Sequence, residues 1–432
     1  MYTQYTLAGV AAEISAALQD TSNVYWSLDE VYRAIREGLL HWGLLTSYWR
    51  ERGLFPTVAG TFDYDCSTLL PTLRAQAYTL GDLTREAQYH LLEPANGVLG
   101  VGMSDQIPIF ALTLALARAR NEYTLDAQTP LVAGDFAAAP PPTGRMPLDQ
   151  SVVLVQRMAW KDLTTGIYHP LRRQDALASD SANYLWNLTP HLPFAYSTAE
   201  TRPIEVQFIP PPAANGRLYL VYVESRNLAI AEGTLLSVGD EAVHGVKWRA
   251  LYELLAGQGQ AYDPLRARYC LERYNAFVRA AGQAKSILRV QVNDRTLQLD
   301  TLWNLDCKRP RWMNQLGTPN LAAVAGDIIW LSKVPDIAYA VAVDTVRTAP
   351  LPVLPADFVQ IGREELPYIF DYARHILSFK LGGSEFVSTM PLYDNFLRGA
   401  AQRNKILAAQ ARYLTALFEQ PQKAAEVGDV PA

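Results

Sequence analysis

Nothing constrains this chain more than the match between its middle and its C-terminal third. Trp186 and Pro193 stand seven apart, as do Trp312 and Pro319, and Ile204 and Val206 before Pro210 align with Ile329 and Leu331 before Pro335. Leu218, Leu220 and Tyr222 then align with Ile337, Tyr339 and Val341, which leaves six extra residues in the 211–217 loop of the first copy. Loops are where copies diverge. An offset of 123 pairs Val238 with Ile361, Val246 with Ile369, Ala250 with Ala373 and Leu254 with Leu377. Tyr274, Phe277 and Arg279 pair with Tyr393, Phe396 and Arg398 at an offset of 119, a deletion of four residues that keeps helical faces in phase. The expectation is an α+β multidomain chain with internal duplication: helical bundle segments alternating with two small β sandwich or barrel modules.

Local patterns set the boundaries. Ser27-Leu28-Asp29-Glu30 is a capping box, and Leu28, Val31, Ile35, Leu39 and Trp42 follow on one helical face. Further helices are predicted over 84–92 and 107–123, so residues 1–125 read as helical. Ala137 to Pro147, with four prolines, reads as a linker. Runs at Val152–Val155, Ile204–Phe208 and Leu218–Tyr222 read as strands. The predicted division is 1–144 helical with linker, 145–228 β, 229–284 helical, 285–350 β, 351–418 helical, and a flexible tail over 419–432.

Composition narrows the function. At 432 residues, 49% hydrophobic and 19% charged, the chain has ample core, and 38 basic against 43 acidic residues give no general attraction to nucleic acid. Cys66, Cys270 and Cys307 form no C-x-x-C pair, and the six histidines have no metal-ligand spacing. His244 shares helical spacing with Trp248, Leu251 and Leu255 and reads as a core-edge imidazole with one nitrogen satisfied. Gly97, Gly100 and Gly102 read as a turn, Ser384 lacks a nucleophile elbow, and Asp63 with Asp65 reads as a turn or short extended arm. The expectation is a non-enzymatic protein with no catalytic residues, cofactor or metal. No signal peptide and no apolar stretch of spanning length is seen.

With 23 Tyr and 9 Trp, the chain is rich in rings suited to half-wet surfaces. The interface candidates are Trp26, Trp42, Trp49 and Tyr413, with the basic cluster Lys308, Arg309 and Arg311, which otherwise reads as a solvated loop. Trp186 and Trp312 are expected at equivalent, buried places; together with Trp330 they would instead serve a sugar-binding surface if exposed.

Three stretches carry a family resemblance: 246–259 (VKWRALYELLAGQG) with 262–270 (YDPLRARYC), 361–366 (IGREEL) with 379–386 (FKLGGSEF), and the aromatic opening from Trp26 to Trp49 followed by Phe55 and Tyr64. They resemble virion structural proteins of tailed bacteriophages, of the head-to-tail connector or adaptor (neck) type. The resemblance implies a homo-oligomeric ring, twelve copies on the family's pattern, between the portal protein and another neck or tail protein. Double-stranded DNA would pass its lumen without sequence-specific binding, and no membrane would be contacted. Its location would be the virion neck or upper tail, and the host cytoplasm during assembly. Familiar connectors are a single helical bundle with an arm. The two added β modules leave a second expectation, a tail collar or a fibre-attachment or carbohydrate-binding receptor-binding protein.

Overall fold

The computed structural model describes residues 5–70, 72–73, 76–91, 107–139, 143–175, 178, 186–199, 203–225, 231, 233–257, 262–283 and 286–407. Its helices are α1 (Leu7–Ala17), α2 (Leu28–Thr46), α3 (Cys66–Leu69), α4 (Leu80–Leu91), α5 (Ile109–Ala127), α6 (Val243–Ala256), α7 (Pro264–Gln283), α8 (Leu302–Lys308), α9 (Leu366–Ser378), α10 (Gly383–Ser388) and α11 (390–407). The capping box forms: Ser27 Oγ accepts from Glu30 N at 3.3 Å. Both α2 and α5 are 19 residues long and end on a left-handed residue, Ser47 (φ 50°) and Gln128 (φ 52°). That geometry turns the chain out of the helix at once, and each time a strand starts three residues further on.

The three helical stretches expected as separate segments share one core. Leu7, Ile35 and Trp42 pack with Val246, Trp248 and Phe277 and with Ile369, Tyr372 and Phe396. Helix α9 lies on α2, and α6 lies on α5 and α7. A helix of this length does not hold its shape alone in water, and the common core is what stabilises each of them. Among the described residues no helix is long and apolar enough to cross a membrane.

Fifteen strands complete the described fold: β1 (Arg50–Pro56), β2 (Asp63–Asp65), β3 (Leu131–Ala138), β4 (Arg145–Pro147), β5 (Val152–Asp162), β6 (Tyr168–Arg173), β7 (Ala195–Ala199), β8 (Glu205–Ile209), β9 (Gly216–Glu224), β10 (Ile287–Val292), β11 (Arg295–Thr296), β12 (Gln298–Asp300), β13 (Leu321–Ala325), β14 (Ile328–Leu331) and β15 (Ala340–Val346). One module runs in the order β3-β9-β5-β6-β7-β8-β4, and the other in two sheets, β1-β15-β10-β11 and β12-β13-β14-β2. Leu297 alone separates β11 from β12, so the second module follows the same course with its bridging strand broken. Polarity agrees strand for strand. All neighbours are antiparallel except β6 with β7 in one module and β12 with β13 in the other.

This topology changes several sequence expectations. β1 and β2 lie inside the stretch read as helical, β3 follows it within the 1–144 division, and the supposed linker supplies the end of β3 and all of β4, which pairs with β8. Short hairpin arms with few apolar residues leave little periodic signal. The 79–283 stretch sits in the chain between β2 and β10, the two halves of the other module.

Register also corrects the alignment. Leu131 faces Val223 and Arg50 faces Val346, so Val223 and Val346 hold equivalent places at the same offset of 123 that relates the first residues of α6 and α9. The isolated bridges Thr79–Leu235 and Thr6–Phe358 keep that offset. Leu218, Leu220 and Tyr222 therefore correspond to Val341, Val343 and Thr345, all buried, and Val206 and Phe208 correspond to Ile329 and Leu331. An even slip along a strand preserves the inward–outward alternation, which is why the sequence pattern alone accepts the wrong partner. Trp186 and Trp312 both open single 3-10 turns and are buried.

Candidate functional site

Two features of the described residues stand out: a buried ionic cluster in the helical body, and the contact between the β modules. In the first, α2 presents Glu37, α4 presents Glu86, and α6 presents His244 and Lys247, three residues apart on one face and all buried. Lys247 Nζ donates to Glu37 Oε2 at 2.5 Å and to Glu86 Oε2 at 3.2 Å. Glu37 Oε1 also accepts from Trp248 Nε1 at 3.2 Å and from the Tyr372 hydroxyl at 3.0 Å. Arg33 Nη1 lies 3.7 Å from the other oxygen of Glu86. Burial by itself would raise both carboxyls, but the Lys247 ammonium overrides it, holding Glu37 down at about 2 and Glu86 well below the usual carboxylate range.

Oxygens of Glu37 and Glu86 and a ring nitrogen of His244 lie within 4.8 Å of one another, a donor set of the kind that holds a divalent cation. Lys247 Nζ already sits between the two carboxylates, where such an ion would go. The neighbouring cavity, about 10 Å³ and lined by Glu30, Glu37, Glu86 and Lys247 among others, holds one water at most and no substrate. This is an ionic lock between three helices. His244 is fully interior rather than at the core edge, and its Nε2 lies 3.1 Å from Glu86 Oε2.

Between the β modules, the outer face of β5, β9 and β3 (Ala159, Tyr219, Val221, Leu131, Ala133) packs on α8, β13 and β14 (Leu305, Ala323, Ile328, Trp330) and on Trp312. Arg157 forks onto Asp306 at 2.6 and 2.9 Å, and Trp312 Nε1 donates to the same carboxylate at 2.7 Å. Trp330 Nε1 donates to the Tyr219 hydroxyl at 2.7 Å, which donates on to Asp63 at 3.1 Å. The two modules use different faces, so the contact is head-to-tail. Searched against protein-family models and against curated proteins, the chain matches none. The site's own chemistry therefore carries the functional argument.

The tryptophans chosen as interface candidates are buried in the chain's own core and offer a neighbour no surface. Trp26 Nε1 donates to Leu377 O at 2.8 Å, Trp49 Nε1 donates to Gln360 O at 2.9 Å, and Trp42 stacks on Tyr368 with ring centroids 5.6 Å apart. The Trp26 and Trp49 indole N–H groups are satisfied locally, which lowers the cost of burying so large a ring, whereas Trp42 Nε1 is buried without a hydrogen-bond partner. Trp186, Trp312 and Trp330 are likewise buried and offer no stacking face. The large exposed ring among the tryptophans is Trp303 on α8, 76% exposed, which periodicity over so short a helix does not reveal. Nearby, Lys308 Nζ reaches Asp300 at 2.5 Å and Arg309 Nη1 reaches Asn320 at 2.7 Å, while Arg311 is exposed. Tyr413, the 97–102 glycines and the 419–432 tail lie outside the described residues.

Interior histidines make stability depend on pH. Burial depresses His90 and His375 to about 3 and His41 well below its usual 6.5. The unfolded chain takes up those protons near pH 6.5 and the native chain does not, so stability is lost as pH falls. Glu30, raised to about 7 by burial, acts in the opposite sense. The net of three histidines against one glutamate is a loss of about 2 kcal/mol per pH unit between pH 6.5 and 5. Urea midpoints at pH 7.5, 6 and 5 measure it; a constant midpoint would contradict the buried neutral imidazoles.

Proposed function

We propose that this chain is a non-enzymatic structural subunit of a tailed-phage particle, of the ring-forming head-to-tail connector type, built from two copies of one helix-and-β unit with the second inserted between two strands of the first. The observation that carries it is the head-to-tail contact between two modules of identical strand order and polarity. A unit that presents one face and receives on another is the element from which rings are made. The buried ionic lock, closed to any substrate, supports a scaffold in preference to a catalyst. The net charge of −5 suits a lumen through which DNA slides without adhering. Trp186, Trp312 and Trp330 are buried, and the exposed Trp303 is a single indole rather than the row of rings a carbohydrate-binding role would use.

Particle images of the purified chain, together with its native mass, test this reading. Closed rings, and labelled antibody at the head–tail junction of virions, are the expected result. A stable monomer at all concentrations that never enters particles would refute it.

A further inference from the structure

The intrachain contact leaves one copy of each face unused, and strand register says which residues form them. On the module of β1, β15 and β10, Arg50 and Arg52 stand where Leu131 and Ala133 stand, Ala342 where Tyr219 stands, Gln291 where Ala159 stands, and Arg289 where Arg157 stands. On the other module, Glu205 stands where Ile328 stands, Gln207 where Trp330 stands, Ser197 where Ala323 stands, and Arg145 where Asp63 stands. The second set lines an open cleft of about 550 Å³ between β7, β8 and β4. The first set is a solvent-facing sheet surface on which Leu54 is 73% exposed.

We infer that these two faces bind each other between copies of this chain, with Arg50, Arg52 and Ala342 of one copy seated in the Glu205–Gln207 cleft of the next. The inference rests on the ring reading and names its interface. The intrachain contact is its template: β3 lies beside β14, so β1 of one copy comes beside β8 of the next. Leu131 and Ala133 share one apolar cluster with Ile328 inside the chain, and on this template Arg50 and Arg52 come to Glu205 between chains. An apolar pair is thus replaced by charges of opposite sign. The arginine is kept at both places, Arg157 and Arg289, the latter paired with Asp344 of its own sheet at 2.6 Å. Core-like packing suits a contact made once within a chain. A polar face with ion pairs suits one that must stay soluble before assembly and then select its partner.

The test uses the full chain with Cys307→Ser, since Cys66 and Cys270 are buried. Gln207→Cys and Ala342→Cys together, the counterparts of Trp330 and Tyr219, are expected to give an oxidation-dependent ladder of covalent oligomers, and neither change alone is expected to cross-link. Glu205→Arg or Arg52→Glu is expected to weaken self-association about tenfold by sedimentation or mass photometry, and the two together to restore it. Unchanged melting temperatures would show that these exposed changes leave the fold intact. Rings that form normally while the paired cysteines stay unlinked would overturn this interface and leave the ring reading standing. Cross-linking by either single cysteine would show a face-to-same-face contact and overturn it too. A chain that never self-associates would remove both.

Discussion

Replacing Lys247 by Met is expected to cost about 3–5 kcal/mol of stability at pH 7, because it leaves Glu37 and Glu86 ionised, buried and without the ammonium that joins them. The sign of the pH dependence is the sharper test. With Lys247 present, both carboxyls sit below their unfolded value, and they add stability above about pH 4.5 that is lost as pH falls. Without it, burial raises them above that value, and the variant regains stability on acidification relative to wild type. Adding Glu37→Gln and Glu86→Gln to Lys247→Met is expected to recover most of the loss at pH 7, since the three lock positions are then neutral and Arg33 keeps its Asp29 partner at 2.9 Å. Urea unfolding of wild type, Lys247→Met and the triple variant at pH 5 and 7 measures this. A loss under about 1 kcal/mol for Lys247→Met would show that the lock contributes little.

Trp312→Ala is expected to cost about 3–5 kcal/mol, the usual range for removing a fully buried ring. The indole fills the core between the modules, and its Nε1 holds the Asp306 carboxylate that receives Arg157. Its loss and that of Arg157 are therefore expected to be non-additive in a double-mutant cycle. Trp186, at the equivalent place, touches a smaller cluster with Ala195 and Ile209, and its truncation is expected to cost about half as much. Equal losses at the two positions would contradict the difference between a covered face and an open one.

Much of the helical body is legible in the sequence. The Ser27 box starts α2, the three-and-four spacing of Val31, Ile35, Leu39 and Trp42 gives its buried face, and α5 begins and ends within a few residues of the predicted helix. The pairing of Trp186 with Trp312 was also visible, because a large ring before a proline is a rare combination. The ionic lock was not. Glu37, Glu86 and Lys247 look like ordinary solvated helix charges, and only the approach of α4 and α6 to α2 makes them partners. The signal available was a lysine in a helix whose residues from Val243 to Leu251 are mostly apolar.

Sequence by itself therefore determined where helices such as α2 and α5 form and which face of α2 is buried. Tertiary structure decided how the corresponding regions are threaded, which strand residues are equivalent, and which face of each module is covered. The physical reason is range. Helical faces and caps are set by residues three or four apart, whereas a strand's alternation is unchanged by an even slip, so its register is settled only by the partner strand. Burial of a charge or a ring likewise depends on neighbours hundreds of residues away, as Trp26 with Leu377 and Lys247 with Glu37 illustrate.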